Sequence, residues 1–295
     1  MTLPATWLPL ASPSKYVRVM DDTPPAEQNS EATAGRSVSP QENRYRIDAL
    51  AKGLDVLRLF DDGTPSLTLR NVSDRTGIPT PTAFRIVATL EEKGFLERLP
   101  NGVIRPGLTL VSMGSAALRS SSIVQLSDPF LRQLADSTGE TVNLGVLVGA
   151  QVLYLSRFEN SGMVRADIQV GTTLPAAYTS IGKVLLAFLS PQQRRETLSG
   201  HAFRANAGPN AVESLEELEE RLTTVRAEGY AVQDEELSHG TRSIAVPVFG
   251  RGPTPVAGIN VAAGTTRQTM ENLRGATLEA LRRTATDISQ RANAI

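Results

Sequence analysis

The chain has 295 residues, with 30 basic against 31 acidic side chains, no cysteine and only two histidines, His201 and His239. That length accommodates two ordinary domains, each with a core of its own. The missing thiols exclude disulfide scaffolds, thiolate nucleophiles and cysteine-bound zinc or iron–sulfur centres, and fit a reducing cytoplasm.

Residues 1–45 mix Pro, Ser, Asp, Glu and Ala without a lasting period and read as a mobile extension. The short apolar run Trp7-Leu8-Pro9-Leu10-Ala11 has no basic stretch before it, as a signal peptide needs. Further along, no run of about 18 apolar residues is present to span a bilayer. Periodicity begins at Ala49, where Leu50, Leu54, Leu57 and Phe60, with Val56, make one apolar face at helical spacing that Asp61-Asp62-Gly63 ends. Leu69 and Val72 mark a second, short helix that stops at Gly77. A third spans about 79–93, with Phe84, Val87 and Leu90 turned inward. Pro79 is tolerated in its first turn, where the missing N–H has no intrahelical partner to lose. After Gly94, segments 95–98 and 101–104 read as a small hairpin. Three short helices and a hairpin are the plan of a winged helix-turn-helix, placed at 46–107.

Nine basic and eight acidic residues leave that module at only +1. Nucleic-acid binding therefore rests on where its arginines sit rather than on bulk charge. With Phe84, Val87 and Leu90 inward, Thr80, Thr82, Arg85 and Thr89 face out on the helix such a module lays into the major groove. Hydroxyls and main-chain N–H groups suit phosphates there, and Arg85 suits a phosphate or a guanine edge. Arg98 and Arg105 flank the turn at Asn101-Gly102 and suit the minor groove or the sugar–phosphate backbone. These residues, Asn101 included, are the expected contacts to double-stranded promoter DNA.

Residues 108–122, with Leu108, Leu110, Val111 and Met113, continue as a linker helix. Another amphipathic helix over 123–138 carries Ile123, Leu126, Phe130, Leu131 and Leu134. Both apolar faces are candidate contacts between copies, because two weak, linked heads on a palindromic site raise one another's effective concentration. From Thr141 the texture changes. Strands are expected at 141–148 and 152–158 around Gly149-Ala150, then at 163–170. A helix follows over 180–189, Ser190-Pro191 caps a short one, and 215–228 forms a long one closed by Gly229. Strands at 243–248 and 255–261 and a helix at 270–288 complete the chain. The class is α+β, with 123–295 built around a central antiparallel sheet.

In this second domain Leu144, Tyr154, Leu174 and Tyr178 are expected as apolar walls of a pocket. Its polar end is the helix start at Ser180-Ile181-Gly182, whose N–H groups can hold a carboxylate. Gly171 and Gly182 permit close approach, and Ser180 also fits the N-cap position. Arg242, which with Ser243 opens a strand, is either a carboxylate partner or an ion-pair partner of Asp234, Glu235 or Glu236. Asn143 and Asn260 add amide contacts if their strand faces turn inward, and His239 reads as a turn residue. A mostly apolar pocket with a few convergent donors fits a small organic acid. Asp234-Glu235-Glu236 near His239 also has the make-up of an acid–base cluster. No nucleophile with a positioned base, Walker loop or Rossmann fingerprint accompanies it. No enzyme, cofactor or metal is therefore expected. A helix-turn-helix used only for protein contacts is a further alternative, which an apolar exposed face around Arg85 would favour.

Four separated blocks carry a resemblance. They are Ala49-Leu50-Ala51-Lys52-Gly53-Leu54-Asp55-Val56-Leu57; Gly77-Ile78-Pro79-Thr80-Pro81-Thr82-Ala83-Phe84-Arg85-Ile86; Gly171-Thr172-Thr173-Leu174-Pro175 with Thr179-Ser180-Ile181-Gly182-Lys183; and Gly229-Tyr230-Ala231-Val232-Gln233-Asp234 with Gly240-Thr241-Arg242-Ser243. In their order and spacing over roughly 46–290 they resemble the IclR family of bacterial transcriptional regulators. The stretch from Arg105 to Gly114 is similar to the branch that governs aromatic-acid and β-ketoadipate catabolism. The resemblance implies a winged helix-turn-helix joined by a linker helix to a GAF-like effector domain. It also implies a dimer or tetramer on partly palindromic promoter DNA, and an organic-acid or aromatic ligand. The chain departs from the family pattern at Thr80-Pro81, where a basic residue followed by serine is usual; Pro81 brings no N–H to a phosphate.

Overall fold

The computed structural model describes residues 45–60, 64–159, 168–203 and 207–293. The expected extension up to residue 44, the Asp61-Asp62-Gly63 stop and residues 163–167 of the expected third strand lie outside the described residues.

Helices α1 (Asp48–Arg58), α2 (Leu69–Thr76) and α3 (Thr80–Glu92) precede the hairpin β1 (Leu96–Arg98) and β2 (Ile104–Pro106). Both ends of α2 are fixed by local chemistry. Thr68 and Asn71 form a reciprocal capping box, and Gly77 closes the helix at φ +69° with its N–H on the Ser73 carbonyl. Val56, Val72, Ala83, Val87, Leu96 and Ile104 build the small core. Two expected helix faces need correction. In α1, Val56 is buried while Leu50 and Leu54 are exposed. In α3 the core side is Ala83, Ile86, Val87 and Leu90, and Phe84 is 53% exposed. Those four residues recur at steps of three and four, a stripe that leaves Phe84, about 100° round the helix from Ala83, outside it.

Helix α4 (Thr109–Ser120) contains no buried residue, and Leu108, Val111 and Met113 are exposed there. After α5 (Ser122–Thr138) come β3 (Thr141–Val148), β4 (Gln151–Phe158) and β5 (Thr173–Pro175). Next in order are α6 (Ser180–Ala187), α7 (Pro191–Thr197), α8 (Leu215–Glu228), β6 (Ala231–Asp234), β7 (Thr241–Phe249) and β8 (Pro255–Gly264). Helices α9 (Met270–Asn272) and α10 (Leu278–Asn293) close the fold. Among the described residues the six strands β3–β8 make one antiparallel sheet in the order β5-β4-β3-β8-β7-β6, where β3 beside β8 joins the two expected hairpins. Strands β5 and β6 are additions to the expectation, and Ile168–Val170, expected as strand, carries none.

Alternation along the strands sorts side chains onto two faces. Val142, Leu144, Ile244, Val246, Ile259 and Val261 form one core with α5 and α10. Two expectations change with this. Leu144 lies in that core and not in a pocket wall on the other face. The apolar side of α5, with Val124, Leu131 and Leu134, is consumed in the same core, so it is not available between copies. The opposite face carries α6 and α8. Helix α6 lies close to the sheet because the strands are bare beneath it: a Cβ on Gly258 would stand 2.9 Å from Ile181 Cγ2. A Cβ on Gly182 would stand 2.1 Å from the Ala176 carbonyl oxygen. Gly182 thus admits the 3-10 turn at Ala176–Tyr178, and protein backbone already fills the space expected for a ligand.

Candidate nucleic-acid interface and effector recess

The three arginines expected at DNA differ in their freedom. Arg98 pairs with Glu91 at 2.9 Å, and Arg105 pairs with Glu97 at 2.9 Å. The second pair follows from the hairpin register, which sets Glu97 opposite Arg105. Arg85, exposed on α3, has no ion pair among the described residues. The hydroxyls are partly committed. Thr80 Oγ1 lies 3.2 Å from Ser73 Oγ, Thr89 Oγ1 donates to the Arg85 carbonyl at 2.9 Å, and Thr82 is half-buried. Asn101 Oδ1 accepts the Val103 N–H at 3.2 Å within the turn that Gly102 closes at φ +80°. The Thr82 N–H is taken by the Pro79 carbonyl at 2.9 Å, so with Pro81 the helix start offers little to a phosphate. Phe84, placed in the core by the sequence reading, stands on this open face instead.

On the α6 side of the sheet is a narrow recess whose cavity volume is about 30 Å³, or about 420 Å³ with the open solvent at its mouth included. Of the residues expected at an effector, Asn143, Tyr154, Arg242, Ser243 and Asn260 line it. Ser180 bonds to two of these lining residues, Ser243 and Asn260, and the others lie elsewhere. Tyr178 is buried with its ring 5.4 Å from that of His201, and Ile181 lies in the α6 core, with Leu174 packed against it. Gly171 is a turn residue at φ +93° that donates to the Tyr154 carbonyl at 2.8 Å. The N-cap of α6 is Thr179, which accepts the Gly182 N–H at 3.0 Å, and not Ser180.

Ser180 belongs to a hydrogen-bonded chain along the recess floor. Arg157 Nη1 donates to Asn143 Oδ1 at 3.1 Å, and Asn143 Nδ2 donates to Asn260 Oδ1 at 2.8 Å. Asn260 Nδ2 reaches Ser180 Oγ at 3.4 Å, and Ser180 Oγ lies 2.7 Å from Ser243 Oγ. Ser243 donates to Gln233 Oε1 at 3.3 Å, and Gln233 Nε2 to the Thr241 carbonyl at 3.3 Å. Each link accepts on one side and donates on the other, an arrangement in which bonds polarise one another. Each asparagine amide has a further donor and acceptor beyond its chain bonds.

Sequence reasoning missed Arg157 and Gln233, both of which line the recess. Arg157 follows Tyr154 by three, so strict alternation puts them on opposite faces. The register shift at Leu144/Gly145 pairs Tyr154 with Gly145 and Arg157 with Asn143, returning both to one face. The acidic triplet is structural. Asp234 holds Arg242 Nε at 2.9 Å, Glu235 accepts the Gly240 N–H at 2.7 Å beside His239, and Glu236 holds Lys183 Nζ at 2.5 Å. Arg242 therefore takes the ion-pair alternative, and also donates to the Gln268 carbonyl at 2.8 Å. No helix of the described residues is long and apolar enough to cross a membrane.

Residues 49–100 match the IclR helix-turn-helix domain, and residues 115–290 match the bacterial transcriptional regulator IclR C-terminal domain. The HTH-type transcriptional regulator BhcR of Paracoccus denitrificans is 33% identical over 252 residues, covering 84% of this chain and 90% of that one. The Pca regulon regulatory protein of Pseudomonas putida is 32% identical over 230 residues, covering 77% and 78%. A crystal structure of an IclR homolog from Microbacterium hydrocarbonoxydans, complexed with 4-hydroxybenzoate, superposes with a TM-score of 0.66 at 28% identity, covering 84% of this chain and all of that one (100%).

Proposed function

The chain belongs to the IclR family of bacterial transcriptional regulators and carries that family's helix-turn-helix DNA-binding domain; from this premise we propose that promoter reading by 46–107 is set by a small organic acid bound in 123–295, with 108–122 as the link. The observation that carries the effector reading is the recess floored by the Arg157–Asn143–Asn260 chain. The acid's carboxylate lies against Arg157 and the two amides, and its carbon body lies against Tyr154, Ile168 and Leu237. Gln233 and Thr241 meet a second oxygen at the far end. An aromatic acid with a ring hydroxyl, or a ring-cleavage product, has this distribution, and the 4-hydroxybenzoate in the Microbacterium relative supports that class.

Thermal-shift screening of aromatic acids and their ring-cleavage products selects the probe, and isothermal titration then compares variants. Arg157→Gln is expected to weaken binding about tenfold or more, since a hydrogen bond to a charged group contributes roughly 1.5–3 kcal/mol. Both guanidinium groups are already paired, Arg157 with the exposed Glu159 at 2.6 Å and Arg242 with Asp234 at 2.9 Å. Arg242→Gln should weaken binding less because Arg242 is also held by the Gln268 carbonyl, whereas Arg157 orients the Asn143 amide of the floor. A panel in which no acid stabilises the protein sinks the ligand class; unchanged affinity in Arg157→Gln sinks the assigned anchor.

We also infer self-association into a dimer or tetramer through the exposed Leu50, Leu54, Leu108, Val111 and Met113 of the reading head and linker. Sedimentation velocity at micromolar concentration should show no monomer peak. A monomer that operator DNA leaves unchanged would rule the assembly out.

A further inference from the structure

The outer face of α3 presents two side chains of opposite character. Arg85 carries charge that no described residue neutralises, and Phe84 presents a phenyl ring that is half exposed. Around the ring, Thr80, Pro81, Arg85 and Thr89 are all exposed, and Phe84 is the one large exposed hydrophobic side chain on α3 among the described residues.

We propose that Phe84 is a specificity-determining residue that reads thymine, packing its ring against 5-methyl groups in the major groove beside the base contact of Arg85. This rests on the assignment of α3 as the reading helix. Position supports it: Phe84 is the fifth residue of α3, within the N-terminal half that such a helix presents to base edges. Chemistry supports it too, because the thymine methyl is the apolar feature of the major-groove floor, and phenyl or methyl groups are what match it. The rest of the face offers few polar readers. Pro81 has no N–H, the Thr82 N–H is on the Pro79 carbonyl, and the Thr89 hydroxyl is on the Arg85 carbonyl. Beside the Thr80 and Thr82 hydroxyls, one cation and one ring are left to discriminate bases.

A protein partner fits the same ring less well. Docking faces are contiguous apolar patches with charge kept to the rim, whereas Phe84 is a single ring among threonines with an unpaired arginine at its side. The proposal specifies the base as well: thymine within about one or two base pairs of the guanine that Arg85 contacts.

The test uses the full chain and a duplex that it selects from a randomised pool. Each thymine of the selected site is replaced in turn by deoxyuridine, which lacks only the 5-methyl group, and affinity is read by fluorescence anisotropy. For the wild type, at least one thymine per half-site should show a loss of about fourfold, the value of one buried methyl-sized group. Phe84→Ala should bind the thymine duplex more weakly by at least that factor and be indifferent to deoxyuridine at the same position. Because the ring lies outside the core, its melting curve should match the wild type. A wild type that selects a duplex yet ignores every methyl group overturns the role of Phe84 alone, as does a Phe84→Ala variant that keeps the same methyl sensitivity. Loss of self-association in Phe84→Ala overturns it by placing the ring in a protein contact. A wild type that selects no duplex removes the reading-helix assignment itself, and the proposal with it.

Discussion

Lys183→Met is expected to destabilise the protein by about 3–5 kcal/mol, the cost of leaving one member of a buried ion pair without its partner. The Lys183 side chain is 3% exposed and that of Glu236 is 5% exposed, with Nζ 2.5 Å from Oε1. Burial pulls the Lys183 ammonium below its ordinary range, and Glu236 pulls in the opposite direction. Without the ammonium, the carboxylate has Arg221 Nη1 at 3.3 Å as its remaining cation among the described residues, from a side chain that is itself partly in solvent. The turn has little room to swing outward and hydrate the charge. The Glu236 carbonyl accepts the Gly208 N–H at 2.8 Å, and a Cβ on Gly208 would stand 2.0 Å from the Glu235 carbonyl oxygen. Urea unfolding should therefore show a lower midpoint for Lys183→Met. The double variant Lys183→Met/Glu236→Leu should recover most of the loss, since an apolar pair of similar volume removes both desolvated charges. A single variant within about 1 kcal/mol of wild type would show that the pair is hydrated, as surface pairs are. Leu237 and Thr241, next along the same turn, line the recess, so the single variant should also bind the effector less well.

Arg85→Ala is expected to weaken operator binding by about 1–3 kcal/mol, roughly five- to 150-fold, as loss of a bidentate base contact does. Arg98→Ala and Arg105→Ala should have smaller effects. Each of those guanidinium groups must leave a glutamate to reach DNA, and what remains is a phosphate contact in place of an existing ion pair. The two kinds of loss also differ in pattern. The Arg85 effect should be confined to the operator, while the wing effects should fall nearly equally on operator and scrambled duplex and shrink as salt rises. A loss at Arg85 that is equal on both duplexes would reassign it to the sugar–phosphate backbone.

Much of the architecture was legible because it is written in local signals. The Ser190-Pro191 cap, the glycines at 77 and 229, and the apolar runs of β7 and β8 each specify a boundary or an element without help from distant residues. What was not legible depended on pairing between distant segments. Strands β5 and β6 are three and four residues long, too short to show a period, and exist because β4 and β7 pair with them. Arg157 escaped notice because a bulge reverses the alternation that places side chains on faces. Ser180 was assigned the cap that its neighbour Thr179 provides; the two hydroxyls are adjacent, and only the sheet beneath distinguishes them. Phe84 was assigned to the core on hydrophobicity, although Ala83 and Ile86 complete the stripe. A large apolar residue on a small helix domain reads as core until the packing shows that the core is already full.

Discrimination of promoter sequence by α3, under control of the recess, can be measured in one assay. The most direct measurement is anisotropy of the full chain on its selected operator and on a scrambled duplex of equal length and composition, at one stated salt concentration, with and without the best-binding acid from the screen. A preference of at least about 10³ for the operator is expected, with a change in operator affinity of about fivefold or more when the acid is present, of a size typical of coupled sites. Equal binding to the two duplexes, or operator affinity that the acid leaves unchanged at saturation, would contradict it.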